Sequence, residues 1–150
     1  MAWPSSPGAL RAALHHSPVI AVLGAHHQPH RAAYRIPAYL VAQGYRVLPV
    51  NPRLAGQLLW GERVVAGLSA LSEPVDAVNV FRRSDHLMGH LEEILSMRPP
   101  PTLVWLQTGI RHSGFAQRLV DAGIDVVSDR CILVEHRRLG LGPPGPSRPR

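Results

Sequence analysis

The chain has 150 residues, of which 45% are hydrophobic, and its 16 basic and 10 acidic residues give a formal charge of +6. This length predicts one domain with a sizeable core, and because no apolar run approaches the roughly 20 residues that span a bilayer, we expect no membrane partner. The basic residues are all arginines and are scattered, and the chain has only three Trp, three Tyr and two Phe, so we expect no nucleic-acid partner.

The number of cysteines indicates the cellular compartment in which the protein works. The only cysteine is Cys131, so no internal disulfide can form, which fits a reducing compartment. The N-terminal stretch also lacks a basic start followed by an apolar core, the pattern of a secretory signal. We therefore expect a cytoplasmic protein. Cys131 itself is interpreted either as a reactive thiol or as a small buried apolar side chain.

The first predicted elements are a mobile segment over residues 1–8 and a short helix over residues 9–15. The stretch that follows, residues 19–52, reads as strand, glycine turn, helix, glycine and strand, with the turn at Gly24 and the helix end at Gly44. This order and length match a right-handed βαβ unit. In such a unit the loop after the first strand faces the ligand, where backbone N–H groups and the helix N-terminus favour phosphate.

Beyond this unit the sequence predicts strands that alternate with helices. The predicted elements are, in chain order, an irregular connector over 53–71, a strand over 75–81, a helix over 84–97, a strand over 102–106, a helix over 113–122, a strand over 125–128 and a helix over 131–139. Residues 140–150 are rich in Gly and Pro and are predicted to be disordered. Five apolar strands alternating with helices predict one doubly wound α/β domain over residues 9–139, with a mainly parallel five-stranded sheet and helices on both faces.

Residues that directly follow the strands are the first candidates for a site, because ligands of open parallel sheets bind beyond the carboxyl ends of the strands. These candidates are Gly24-Ala25-His26, Asn51-Pro52-Arg53, Phe81-Arg82-Arg83, Gln107-Thr108-Gly109 and Asp129-Arg130-Cys131. The first loop has one glycine where the dinucleotide fingerprint has three, so by itself it is a weak signal.

The end of the second strand argues against NAD. NAD-binding proteins usually carry an acidic residue there for the ribose diol, whereas this chain has Asn51-Pro52-Arg53. Asn51 can donate and accept hydrogen bonds, and Arg53 can pair with a 2′- or 3′-phosphate. The alternative interpretation is that Asn51-Pro52 is only a turn and Arg53 only a solvated charge.

Two further pairs have open interpretations. Arg31 and Arg35 are one helical turn apart and either hold a diphosphate or form surface charge. His86 and His90 have the i, i+4 spacing of metal ligands, but no Cys or carboxylate completes a set, so a solvated helix face is the favoured interpretation and we expect no metal. The sequence shows no recognisable Ser-His-Asp or Cys-His pattern, so we expect no catalytic residues and no enzyme activity.

Five stretches of the sequence, in order and at suitable spacing, resemble those of the stand-alone CoA-binding proteins. These are single Rossmann-like domains similar to the CoA-binding domain of succinyl-CoA synthetase α subunits. The first block, VLGAHHQPHRAAYRIPAYL, is similar to a family pattern VxGxSxKPxRxSYxVxxYL, from which it departs at His26, Gln28 and Ala33. The other blocks are GYRVLPVNP, VDAVNVFRRS, VWLQTGI and DRCILVEHRRL.

The resemblance implies a Rossmann-like fold that binds coenzyme A or an acyl-CoA as a monomer or small homo-oligomer. The adenosine and phosphates would meet the first loop, Arg31 and Asn51-Pro52, and the loops after the third and fourth strands would flank the nucleotide and pantetheine. The expected cofactor site comprises Gly24, Ala25, His26, Arg31, Arg35, Asn51, Pro52, Arg53, Phe81, Arg82, Gln107, Gly109 and Ile110. The alternatives are an NADP-type redox or regulatory protein and a fold-only module that acts through protein contacts.

Overall fold

The structure is a computed structural model that describes residues 4–149. Its strands are β1 (Val19–Leu23), β2 (Arg46–Val50), β3 (Leu58–Leu59), β4 (Glu62–Arg63), β5 (Ala77–Val80), β6 (Leu103–Leu106) and β7 (Asp125–Val127). Its α-helices are α1 (Pro7–His15), α2 (Ala32–Ala42), α3 (Leu91–Leu95), α4 (Ser113–Asp121) and α5 (Ile132–Leu139). Short 3-10 helices cover Pro52–Leu54, Leu68–Ala70 and Ser84–His90.

Five strands form one parallel sheet in the order β2-β1-β5-β6-β7. The chain runs from β1 outward to β2 and then returns to place β5 on the other side of β1. This reversal creates a switch point between β1 and β5, where loops on the carboxyl edge diverge and leave room for a ligand. The predicted doubly wound, parallel α/β fold is confirmed.

Side chains on the strands alternate between two apolar cores, one on each face of the sheet. Ile20 and Val22 point to the face covered by α1, α2 and α5. Ala21 and Leu23 point to the face covered by α3, α4 and the 3-10 helix Ser84–His90. Because a strand has a two-residue period, both faces of an apolar run are buried, as parallel sheets with helices on both sides require. No helix within residues 4–149 combines the length and the apolarity needed to cross a membrane.

The helix predicted over 84–97 is not an α-helix in its first half. Residues Ser84–His90 form a 3-10 helix, and only Leu91–Leu95 are α-helical. The N–H of His86 bonds the carbonyl of Arg83, which is the shorter 3-10 pattern. Gly89 weakens α-helix propagation near the junction, which accounts for the change of pitch.

The connector over 53–71, predicted to be irregular, contains a short hairpin formed by β3 and β4. Its turn is Trp60-Gly61, in which both residues have positive φ values of 53° and 79°. Positive φ at both central positions is the pattern of a type I′ hairpin turn. A Trp at such a position is rare, and the ring of Trp60 packs on Tyr34 with 5.7 Å between ring centroids. Contact with α2 therefore selects a turn that the local sequence does not indicate.

The two ends of the chain were predicted to be mobile or disordered. Residues 1–3 and 150 lie outside the described residues. Helix α1 begins at Pro7 because the Ser6 hydroxyl accepts the N–H of Ala9 at 3.2 Å, which caps the first turn.

After α5, residues 140–149 contain no helix or strand. They nevertheless form hydrogen bonds with the domain. The carbonyl of Gly142 accepts from His136 Nε2 at 2.8 Å, and the carbonyl of Pro146 accepts from His16 Nδ1 at 2.9 Å. The N–H of Gly145 donates to the carbonyl of His15 at 2.8 Å, and Arg148 donates to the carboxylate of Asp125 at 3.1 Å. These bonds lead us to expect that the segment packs on the domain, in contrast to the disorder that its composition predicts.

Candidate functional site

The loops that follow β1 and β5 meet at Gly24, at the switch point of the sheet. Gly24 has a φ of +89°, and a Cβ at this position would lie 2.9 Å from the backbone oxygen of Phe81. Ordinary van der Waals contact begins at about 3.4 Å, so only glycine lets the two loops approach this closely. The contact divides the carboxyl edge of the sheet into two clefts that share Gly24, His26 and Phe81.

The large cleft has a volume of about 770 Å³ and lies among the loops after β1, β2 and β5. Its lining includes Asn51, Pro52, Arg53 and Arg82, which are four of the residues predicted from the sequence. Arg53 has no side-chain hydrogen bond or ion pair to any of the described residues. The lining also includes the carboxylate of Glu93, so the two guanidinium groups leave the cleft with a net positive charge, which suits phosphate.

The small cleft has a volume of about 400 Å³ and lies between the start of α2 and the loops after β6 and β7. Its walls include the apolar side chains of Ile36 and Ile110, and its polar groups include Arg31 and Gln107. Cys131, at the start of α5, also lines this cleft. The combination of apolar walls with a few polar groups is typical of small-molecule sites.

The amides of the first loop are used by the fold, which corrects the expectation that they face phosphate. The N–H groups of Gly24 and Ala25 both donate to the carbonyl of Val50, at 3.0 and 3.3 Å. The N–H of His26 donates to the carbonyl of Ala33 at 3.2 Å. That carbonyl is free because its helical partner four residues later is Pro37, which has no N–H.

The start of α2 supplies the backbone donors that the loop does not. The N–H groups of Ala32 and Ala33, in the first turn of α2, have no acceptor within residues 4–149, as is usual at a helix N-terminus. Both residues line the small cleft, next to Arg31. The positive end of the helix dipole and the arginine thus act on the same space. An anionic group bound there would meet two backbone amides and a guanidinium.

His26 lines both clefts, and its surroundings disfavour the charged imidazolium form. Its Nδ1 accepts the N–H of Gln28 at 3.1 Å, and its ring stacks on that of His27 with centroids 5.0 Å apart. Burial lowers the pKa of His26, and the positive charge of Arg31 lowers it further. With Nδ1 occupied as an acceptor, the proton resides on Nε2, which leaves one N–H donor for a ligand.

Asn51 joins the loops after β1 and β2. Its Oδ1 accepts the N–H of Arg53 at 2.9 Å, which caps the 3-10 helix Pro52–Leu54, and its Nδ2 donates to the carbonyl of Ala25 at 2.8 Å. The predicted turn at Asn51-Pro52 is therefore present. Because both polar groups of Asn51 bond within the chain, its contribution to the cleft is to shape the wall and orient Arg53.

A chain of polar side chains on the large cleft was missed by the sequence analysis. Arg82 Nε donates to His90 Nε2 at 3.4 Å, and His90 Nδ1 donates to Glu93 Oε1 at 3.2 Å. Glu93 Oε2 in turn accepts the N–H of Leu68 at 2.9 Å. His90 is thus partly buried, contrary to the solvated face expected for the His86 and His90 pair. The i, i+4 spacing misled because these residues lie on a 3-10 helix.

A metal centre is not apparent in the described part of the chain. Within residues 4–149 no group of three or more His, Cys, Asp and Glu side chains is arranged to hold a metal ion. His86 instead accepts a hydrogen bond from Arg83 at 3.3 Å.

Gln107 forms the buried floor of the small cleft. It is 5% exposed, and its Oε1 accepts both the Nδ2 of Asn79 at 3.1 Å and the N–H of Ile132 at 3.0 Å. Two donors on one oxygen fix the carboxamide, so its Nε2 is left to face the cleft, and it has no acceptor within residues 4–149. No sequence pattern singles out Asn79, which lies within the apolar strand β5.

Three predicted residues line neither cleft. Ala25, in the first loop, is buried, and Arg35 is exposed on α2. Gly109 donates its N–H to Asp129 Oδ1 at 2.6 Å, and Arg111 pairs with the other oxygen of this carboxylate. These two contacts lower the pKa of Asp129, with the Gly109 N–H as the larger cause. The remaining predicted residues all lie on one or both clefts.

Comparisons with known proteins find relatives of similar sequence and fold. YneT of Bacillus subtilis (strain 168), an uncharacterized protein, is 35% identical over 131 residues, covering 87% of this chain and 94% of that protein. The structure of cell-free ID.343 from Thermus thermophilus matches with a TM-score of 0.86 at 56% identity, covering 90% of this chain and 99% of that one. A hypothetical protein from Pyrococcus horikoshii OT3 matches with a TM-score of 0.83 at 26% identity, covering 90% and 92% of the two chains.

The match to a family is direct. The family model described as CoA binding domain matches residues 18–137, which include every strand of the parallel sheet, both clefts and most of α5. The expected resemblance is confirmed: this chain belongs to the CoA binding domain family.

Proposed function

We propose that the protein binds coenzyme A or an acyl-CoA across the two clefts and catalyses no reaction on it. The observation that carries the proposal is the pairing, in a member of this family, of an arginine-lined cleft with a smaller apolar cleft at one switch point. CoA has matching chemistry, since a phosphorylated nucleotide forms one end and a largely uncharged pantetheine chain forms the other.

The charges of the site suggest a direction for the ligand. The adenosine and its 3′-phosphate would occupy the large cleft, where Arg53 and Arg82 provide cationic groups. The diphosphate would lie near Arg31 and the first amides of α2. The pantetheine chain would then enter the small cleft, where the Nε2 of Gln107 can donate to an amide carbonyl. Each step follows from charge and hydrogen-bonding complementarity.

NADP is the second candidate, favoured by one observation. Arg53 follows β2 in place of an acidic residue and can pair with a 2′-phosphate as well as with a 3′-phosphate. A thermal-shift panel of CoA, acetyl-CoA, NAD, NADP and ATP separates the two proposals. Selective stabilisation by CoA or acetyl-CoA supports the first, and selective stabilisation by NADP would replace it. A protein that responds to none of the five would favour the module that acts through protein contacts.

Calorimetric titration of CoA and dephospho-CoA tests the large cleft. Arg53→Ala should weaken binding of CoA about 10-fold or more, the loss of one charge-assisted hydrogen bond, and should leave dephospho-CoA nearly unchanged. Arg83→Ala is the matched control, because Arg83 is a neighbouring exposed arginine that pairs with Asp85 and does not line the cleft. Equal losses for the Arg53 and Arg83 variants would mean that only general charge attracts the ligand.

The remaining expectations rest on the sequence. We propose a cytoplasmic location, since a single cysteine fits a reducing compartment. We propose a monomer or small homo-oligomer, which sedimentation or light scattering would measure.

A further inference from the structure

The two arginines of the large cleft are held differently. Arg53 is exposed and forms no side-chain hydrogen bond or ion pair within residues 4–149, whereas Arg82 is partly buried and fixed at two points. A Cβ at Gly24 would lie 3.3 Å from Cδ of Arg82, so the stem of this arginine runs along the turn after β1. Its Nε donates to Nε2 of His90 at 3.4 Å. The guanidinium of Arg82 therefore has a defined place on the cleft before any ligand binds.

The support of Arg82 continues through His90 into the connector that follows β2. Nδ1 of His90 donates to Oε1 of Glu93 at 3.2 Å, and Oε2 of the same carboxylate accepts the N–H of Leu68 at 2.9 Å. A Cβ on Gly67 would lie 2.7 Å from this Oε2, so the glycine lets the carboxylate approach the backbone closely. Because a carboxylate only accepts, the imidazole proton is on Nδ1, and Nε2 is the nitrogen that accepts from Arg82.

The guanidinium end of Arg82 is the part of this chain that can bind an anion. His90 and Glu93 also line the large cleft, but both ring nitrogens and both carboxylate oxygens already form bonds within the chain. A carboxylate by itself repels phosphate, so these two residues can favour an anion only through Arg82. With Nε bonded to His90, the two Nη groups of Arg82 form no hydrogen bond within residues 4–149. Such a pair can donate side by side to two oxygens of one phosphate.

We propose that His90 and Glu93 are positioning residues that hold Arg82 for the 3′-phosphate of CoA, and that Arg82 makes this phosphate a determinant of specificity. The inference rests on the proposed function and deepens it, because it names the group that recognises the phosphate and the residues that act through it. A side chain fixed before binding loses little conformational entropy when the ligand arrives. Arg53, which is exposed and unbonded, contributes general attraction to the same charge.

Calorimetric titration with CoA and with dephospho-CoA tests the role of His90. Arg82→Ala should weaken CoA about 10- to 100-fold, the loss of a charge-assisted hydrogen bond. His90→Phe keeps an aromatic ring but breaks both bonds, and it should weaken CoA about 5- to 10-fold because Arg82 is no longer immobilised. Both variants should bind dephospho-CoA nearly as the wild type does. His90→Gln can donate to Glu93 and accept from Arg82, so it should restore most of the affinity for CoA.

A double variant separates positioning from a structural role. If His90 acts through Arg82, the variant that combines Arg82→Ala with His90→Phe should bind CoA no more weakly than Arg82→Ala alone. A structural role would instead add the two losses and would weaken dephospho-CoA as well. His86→Phe is the matched control, because His86 lies on the same 3-10 helix and accepts from Arg83 at 3.3 Å, and neither residue lines the large cleft. It should leave both affinities unchanged.

Titration of the wild-type protein separates the possible failures. If it binds CoA but the losses at His90 and Arg82 add, or if His90→Phe binds CoA as tightly as His86→Phe does, the inference is overturned and the binding proposal stands. If the wild type binds CoA and dephospho-CoA equally, the phosphate is not recognised and the inference is again overturned. If it binds neither ligand, the inference and the proposed function fail together.

Discussion

Replacing Gly24 by alanine probes the contact on which both clefts depend. The new Cβ would lie 2.9 Å from the backbone oxygen of Phe81 and 3.3 Å from Cδ of Arg82. The oxygen belongs to the first residue after strand β5 and cannot move without shifting the loop that lines both clefts. We therefore expect two effects, a loss of stability and a loss of ligand affinity.

The control for this substitution is Gly123→Ala. Gly123 has nearly the same backbone conformation, with a φ of +85° against +89°, but a Cβ there meets nothing within 4 Å. Both variants bear the cost of an alanine at positive φ, about 1–2 kcal/mol, so this term cancels in the comparison. What remains is the overpacking cost at Gly24, about 2 kcal/mol. For a chain of this size it corresponds to a melting temperature about 4–8 °C below that of the control.

Differential scanning calorimetry of both variants gives the stability, and titration with CoA at a temperature where both are folded gives the affinity. We expect Gly24→Ala to bind CoA at least about 10-fold more weakly than Gly123→Ala, a difference of about 1.4 kcal/mol. Equal melting temperatures for the two variants would refute the tight approach of the two loops. Equal affinities combined with unequal melting temperatures would refute the placement of the ligand on this contact.

Three further predictions use other parts of the structure. Deleting residues 141–150 should lower the melting temperature by several degrees, because the deletion removes the carbonyl that accepts from His136 and the ion pair of Arg148 with Asp125. An unchanged melting temperature would instead support disorder of this segment. Arg31→Ala should weaken CoA and dephospho-CoA about 10- to 100-fold in calorimetric titrations and leave pantetheine unchanged, while Arg35→Ala, on the exposed side of α2, should change none of them. Asp129→Asn should lower the melting temperature at pH 7. Because the folded-state pKa of Asp129 is lowered, its stabilisation is present above about pH 4 and is lost as the pH falls through the folded-state pKa, so the two melting curves should converge in acid.

The sequence was informative about the position of the site because of a property of parallel sheets. All strands end at the same edge, so residues that follow separate strands in the chain come together there. For this reason Gly24, Phe81, Arg82 and Gln107 could be selected before any contact was known, and they do line the clefts. Helix and strand types followed from local periodicity, except in the segment 84–97 and in the hairpin of the connector 53–71.

The sequence could not show which hydrogen-bond donors and acceptors are already paired within the fold. Whether the amide of His26 is free depends on Pro37, eleven residues later, which releases the carbonyl of Ala33. Whether Asn51 meets a ligand depends on the carbonyl of Ala25, which accepts its amide. Such bonds join segments whose distance in space is set by packing, and no local pattern encodes them.

The amino-acid sequence by itself therefore determined the strand and helix succession, the doubly wound class and the edge of the sheet at which the clefts lie, because these depend on periodicity and on the geometry of parallel strands. Tertiary structure alone decided which groups are available at that edge. It joined Arg82 to His90 and His90 to Glu93, bonded Gln107 to Asn79, and placed Cys131 on the same cleft as Gln107. Availability depends on which donors and acceptors the fold has already paired, and that pairing exists only once distant segments are in contact.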